Sequence, residues 1–208
     1  MSNKKLYLYP VWIRLWHVVN ALCILLLIAT GLSLHFSSAE SNGFIRFDIS
    51  VGIHNVAAII VTIGYGTFVA GNILSGNVKH YKGWHKNLIQ NVWKQGVFYV
   101  VGIFKKESHP FPITEDNKFN PLQRLFYVLV MYIAMPLLII SGFGLLFPET
   151  IAYTVFGVSG LLLTDLLHII MGFCVSLFLI IHIYTCTLGE KPGTLFKGMI
   201  NGYHDVHD

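Results

Sequence analysis

His168 and His182 stand fourteen residues apart within one unbroken apolar stretch, Gly160 to Cys186. On a helix of 3.6 residues per turn, fourteen steps close almost four turns. Both imidazoles therefore occupy one face, about 21 Å apart along the axis, one toward each edge of a bilayer. Two more histidines, His17 and His54, fall near the starts of two other apolar stretches. Ionisable groups inside membrane helices are rare and usually functional, and the neutral imidazole is the commonest metal ligand. Four of them at two depths match the needs of two haems, each gripped from both sides by histidine. Zinc or di-iron sites want ligands converging on one point, with thiolates or carboxylates among them, and the His168–His182 separation forbids a shared ion. Any single histidine could instead be a polar residue bonded to a neighbouring helix. That reading leaves the two matched depths unexplained.

The elements that must position these histidines are legible from composition. The chain has 208 residues, 54% hydrophobic and 12% charged, where soluble domains carry about 25% charged residues. Four stretches, about 15–34, 50–74, 125–147 and 160–186, reach the roughly 20 apolar residues that a membrane helix needs. None holds Lys, Arg or Glu, and Asp165 alone interrupts them. The expected fold is an all-α integral membrane protein: a four-transmembrane-helix bundle forming a single domain over residues 1–208. The first stretch is too long for a signal-peptide core and no small-residue cleavage site follows it, so it should stay as a helix. Cys23, Cys174 and Cys186 are odd in number and scattered within helices, which predicts no disulfide framework. No C-x-x-C-H sequence is present to attach haem covalently, so a haem here would be of the non-covalent b type.

Charge sets the expected topology. Of 14 Lys and Arg residues, all but Arg46 fall before the first stretch, between the second and third, or after the fourth. The positive-inside rule places those segments and both termini in the cytoplasm. His54 and His168 then share the outer depth, and His17 and His182 the inner one. Spacing and charge bias are independent, and they give the same pairing. Gly31 lies fourteen residues after His17, at the outer depth, where a missing side chain would give a haem clearance. Gly172, one turn beyond His168, could do the same. Glycine is also simply common in membrane helices.

Further residues flank these positions. Arg14, three residues before His17, could pair bidentately with a haem propionate or act as an ordinary cationic anchor. The loop over 75–124 is too long to be structureless. Its middle, Trp84 to Phe104, reads as a cytoplasmic interfacial helix, with Trp84, Trp93, Phe98 and Tyr99 interleaved with Lys86 and Lys94. Pro136 should kink the third helix, which carries no histidine and reads as a packing wall. His35 reads as interfacial, while His80, His85, His109, His204 and His207 lie in loops or the tail.

Arg14-Leu15-Trp16-His17, Gly52-Ile53-His54, Asn120-Pro121-Leu122-Gln123-Arg124 and the His168/His182 pair together resemble the four-helix cytochrome b subunits of bacterial respiratory oxidoreductases. That family includes formate dehydrogenase gamma and the cytochromes b of nickel–iron hydrogenase and thiosulfate reductase. The resemblance covers nearly the whole chain. It implies two haem b, with His54 and His168 on the outer iron and His17 and His182 on the inner. It also implies a periplasmic iron–sulfur or multihaem partner with a separate catalytic subunit, and exchange with menaquinone or ubiquinone near the cytoplasmic face. His80, Tyr81, Asn120 and Gln123 are the polar candidates for that quinone, although Asn120 before Pro121 also suits a helix cap.

The expected function is an electron-transfer subunit of a quinone-linked oxidoreductase complex, with no catalytic residue of its own for a periplasmic substrate. The alternative is a stand-alone enzyme of the cytochrome b561 or superoxide-oxidase type, drawing electrons directly at the outer face. A haem-free transporter or structural subunit would be colourless.

Overall fold

Four long runs without Lys or Glu become four long helices, because a bilayer leaves no other way to satisfy the backbone of a single spanning segment. The computed structural model describes residues 4–38, 43–81, 87–112, 114, 118–188 and 193–206. In chain order the helices are α1 (Val11–His35), α2 (Phe47–Leu74), α3 (Leu88–Val97), α4 (Pro121–Leu146), α5 (Gly160–Thr187) and α6 (Thr194–Asn201). α1, α2, α4 and α5 are each long and apolar enough to cross a membrane. Three of them begin three or four residues before the expected spans. Apolar runs mark the hydrocarbon, while a helix continues until something caps it.

α4 shows such a cap. The Gln123 N–H donates to Asn120 Oδ1 at 2.9 Å, and the Asn120 N–H donates back to Gln123 Oε1 at 3.3 Å. Pro121 occupies the first helical position, where its missing N–H costs nothing. Further along, residues Val130–Ala134 widen into a π turn just before Pro136. A proline leaves one carbonyl without its donor and crowds the preceding turn, and a wider turn relieves both. The interfacial helix is shorter than expected. α3 covers Leu88–Val97, a π turn continues it over Phe98–Gly102, and residues 82–86, with Trp84, His85 and Lys86, lie outside the described residues.

By their contacts the residues group into two compact units. Unit 1 comprises Met1–Arg14, Asn72–Ala134 and Leu177–Asp208; unit 2 comprises Leu15–Gly71 and Met135–Ser176. In unit 2, Trp16 holds α1 to α2. Its indole N–H donates to the Gly64 carbonyl at 2.8 Å, and its ring stacks on the buried Phe68 at 4.5 Å. Buried Ser33 ties the α1–α2 connection, donating to the Ile45 carbonyl and accepting from the Ile45 N–H, both at 2.9 Å. Between α4 and α5, strands β2 (Thr154–Val155) and β3 (Val158–Ser159) pair across Phe156-Gly157. Both turn residues have positive φ, the geometry that matches strand twist in a two-residue hairpin.

In unit 1 the two ends of the chain meet. β1 (Lys4–Tyr7) runs antiparallel to β4 (Tyr203–Val206), with Leu6 opposite His204. The Leu8 and Tyr9 N–H groups both donate to the Gly202 carbonyl, at 3.0 and 3.2 Å. Arg14 donates to the Ile200 carbonyl. Gly202 has φ 86, and a Cβ there would lie 2.6 Å from the Tyr7 ring and 2.8 Å from the Tyr9 carbonyl. Gly202→Ala should therefore cost about 1–2 kcal/mol through backbone strain alone. Limited proteolysis of the detergent-solubilised protein should show faster cleavage of the C-terminal tail than in wild type; equal rates would contradict this tether.

Candidate functional site

His54 lies two turns into α2 and His168 two turns into α5, and unit 2 brings them together. Their ring centres are 6.3 Å apart with planes at 64°. Both rings are half-buried. Each is held on its far nitrogen by a buried hydroxyl from a different helix. Thr30 Oγ1 on α1 is 2.9 Å from His54 Nδ1, and Ser141 Oγ on α4 is 3.0 Å from His168 Nδ1. The next residue along each helix is glycine. A Cβ on Gly31 would sit 3.5 Å from His54 Cε1, and one on Gly142 only 3.2 Å from His168 Cε1. The first would be an ordinary contact and the second a tight one, so Gly142 makes room for its imidazole while Gly31 lies directly beside the other. A Cβ on Gly172 would meet nothing within 4 Å, which leaves open space one turn beyond His168.

His182 belongs to unit 1. Its ring stacks on Phe178 at 5.6 Å and meets the Tyr127 ring at 6.2 Å, with Cys186 Sγ 4.0 Å from its Nε2. His17 lies in unit 2, next to Trp16 and its α2 anchor. Both are half-buried. Among the described residues, no three His, Cys, Asp or Glu side chains gather where a metal ion could sit. His35 packs edge-on against Phe36 and His109 against Phe98.

The quinone candidates all lie in unit 1, with different surroundings. Asn120 and Gln123 close the α4 cap, and the Asn120 amide also donates to the Tyr99 hydroxyl at 2.8 Å. His80 is buried at the end of the 3₁₀ turn Asn77–His80. Tyr81 packs on Phe119 and Tyr132, and burial, aided by the Tyr132 and Tyr9 phenols, pushes its phenol above its ordinary value. It therefore stays a neutral hydrogen-bond donor. Burial and the neighbouring Lys79 lower the Lys118 ammonium, which donates to Asn77 Oδ1 at 3.2 Å. Two clefts flank α3. One, of about 390 Å³, is lined by Leu88, Asn91, Phe111, Phe119 and Arg124; the other, of about 570 Å³, by apolar residues such as Trp93 and Leu125. None of the four quinone candidates lines either. Arg14 donates to the Ile200 carbonyl.

Thr30, Ser141 and Gly142 are absent from the sequence-based expectations, and α4 donates more than a packing wall. The signal was present as two hydroxyl–glycine pairs within apolar helices, Thr30-Gly31 and Ser141-Gly142.

Four apolar helices, with His54 and His168 set ring to ring, are an arrangement that a membrane cytochrome would use. Residues 8–202 match the family model described as prokaryotic cytochrome b561, and the chain belongs to that family. It is a multi-pass membrane protein of the b-haem, electron-transferring type. It is 38% identical over 202 residues to the "Putative cytochrome YdhU" of Escherichia coli (strain K12), covering 97% of this chain and 76% of that one. It is 24% identical over 235 residues to the "Probable Ni/Fe-hydrogenase B-type cytochrome subunit" of Rhodobacter capsulatus, covering 99% of this chain and 84% of that one.

If Asn120 is chiefly the α4 cap, Asn120→Ala should destabilise the protein by about 1 kcal/mol and free the Tyr99 hydroxyl. A thermal melt in detergent, followed at the haem absorption band, should show a lowered midpoint. Asn120→Asp should retain most of the stability; an equal loss in both variants would speak against capping.

Proposed function

We propose that this chain is a membrane-anchor subunit binding two b haems, passing electrons between a periplasmic redox partner and the membrane quinone pool. The observation that carries the reading is the His54–His168 pair. An imidazole nitrogen lies about 2 Å from a ligated metal and about 1 Å from its own ring centre. Two rings on opposite sides of one iron then have centres about 6 Å apart, and these two are 6.3 Å apart. A Cβ on Gly172, one turn beyond His168, would meet nothing within 4 Å, so that side of the helix would not obstruct a flat group. The residues present fit a haem.

A bound b haem supplies one-electron transfer, and ligation by two imidazoles leaves no open position for oxygen chemistry. His54 and His168 hold the outer haem, and His17 and His182 the inner one, with Gly31 and Gly172 leaving space at the outer site. Arg14 steadies the entry of α1 through the Ile200 carbonyl. Menaquinone or ubiquinone meets the protein near the cytoplasmic face, where His80 and Tyr81 are the polar groups not committed to the α4 cap. The distribution of Lys and Arg supports a bacterial inner-membrane location with both termini cytoplasmic. The meeting of both chain ends in unit 1 supports an even number of crossings. The relative named as a hydrogenase cytochrome subunit favours a complex, with an iron–sulfur or multihaem partner and a catalytic subunit, over a stand-alone enzyme.

Haem content per chain, by pyridine haemochrome on detergent-purified protein, should be two. His54→Ala and His168→Ala should each delete the same haem, and His17→Ala and His182→Ala the other. Loss of the same haem from His17→Ala and His168→Ala would overturn the pairing.

A further inference from the structure

Thr30 and Ser141 repeat one device on two helices. Each is buried in an apolar helix, where its hydroxyl has a single proton to give. Thr30 Oγ1 donates it to the Leu26 carbonyl at 2.7 Å, and Ser141 Oγ to the Leu137 carbonyl at 2.6 Å, both one turn back. With the proton committed, each oxygen can only accept from the imidazole beside it. Nδ1 of His54 and of His168 must then carry the ring proton, since a hydroxyl bonds in one direction at a time. The lone pair is left on Nε2 of both rings. This is the tautomer that a metal on Nε2 requires, and the second bond fixes how the ring is turned. Gly31 and Gly142 complete the cradle: each ring lies against the helix at its glycine, and at Gly142 a Cβ would already crowd the imidazole at 3.2 Å.

We propose that Thr30-Gly31 and Ser141-Gly142 form two matching cradles that fix the Nε2-ligating tautomer of His54 and His168 and lower the reduction potential of the haem those residues share. The inference rests on the reading of His54 and His168 as ligands of one iron. Its direction follows from charge. An imidazole that donates from Nδ1 becomes a stronger electron donor through Nε2, which favours the ferric over the ferrous state. Both cradles act on one iron, so their effects have one sign and accumulate. The groups are neutral and buried, so the device sets a potential without placing an uncompensated charge in the membrane. His182 has aromatic rings and Cys186 beside it instead. His168 has a second acceptor close by in the Leu138 carbonyl, which makes Thr30 the cleaner position to test.

The test is a potentiometric titration of the haem absorption bands in the full chain, in isolated membranes. Thr30→Val, nearly isosteric, and Ser141→Ala should each raise the midpoint of one and the same b component. At fixed ambient potential, Thr30→Val should raise the ratio of reduced to oxidised haem by roughly three- to tenfold, tenfold being about 59 mV for one electron. The double variant should shift further, while Thr30→Ser, which keeps the hydroxyl, should titrate as wild type. Loss of that haem in Thr30→Val but not in Thr30→Ser would support the cradle equally, as failed ligand positioning. Unchanged midpoints in Thr30→Val, or an equal shift in Thr30→Ser, would overturn the proposal and leave Thr30 as packing. His54→Ala and His168→Ala titrated alongside identify the component. If these two delete different components, the shared-iron reading falls; if they delete the same one and Thr30→Val leaves it unmoved, the cradle alone falls.

Discussion

An imidazole in hydrocarbon must have both ring nitrogens occupied, and much of this protein's architecture follows from that. Water is absent there, and an unsatisfied polar group costs several kcal/mol. At His54 and His168 the demand is met on one side by Thr30 and Ser141. The hydroxyls are satisfied in turn by carbonyls of their own helices. Each histidine is thus connected through one side chain to the backbone of a neighbouring helix. This dictates that α1 must lie beside α2 and α4 beside α5, each in a single register.

Small residues make those approaches possible. Gly31 and Gly142 admit the two imidazoles, and Gly64 offers its carbonyl to the Trp16 indole. Each contact works in the absence of a driving force between apolar surfaces, since lipid tails are as apolar as leucine. The polar bonds and close backbone approaches therefore decide which helix faces meet. In unit 1 the same role falls to the Asn120 cap, the Asn72–Asn77–Lys118 chain of hydrogen bonds and the pairing of β1 with β4.

Membership of the prokaryotic cytochrome b561 family fits a scaffold of this kind. In such proteins the chain supplies orientation and dryness, while the cofactor supplies the redox chemistry. The two candidate sites differ in their surroundings. His54 and His168 face hydroxyls, whereas His182 is flanked by Phe178, Tyr127 and the Cys186 thiol.

The amino-acid sequence by itself determined the four membrane helices, the face shared by His168 and His182, and the Asn-Pro signature of the α4 cap. These depend on helical period and local composition, which a single segment carries whole. Only the tertiary structure decided that Ser141 serves His168, that Thr30 serves His54, that Gly31 faces an imidazole, and that Pro136 is absorbed by a π turn. A period tells which residues share a face of one helix. The partner on the next helix depends on their relative rotation and offset along the membrane normal, and neither is written in either segment alone. α4 read as a wall because it carries no histidine; its Ser141 gained His168 as a partner only when α5 was set against it.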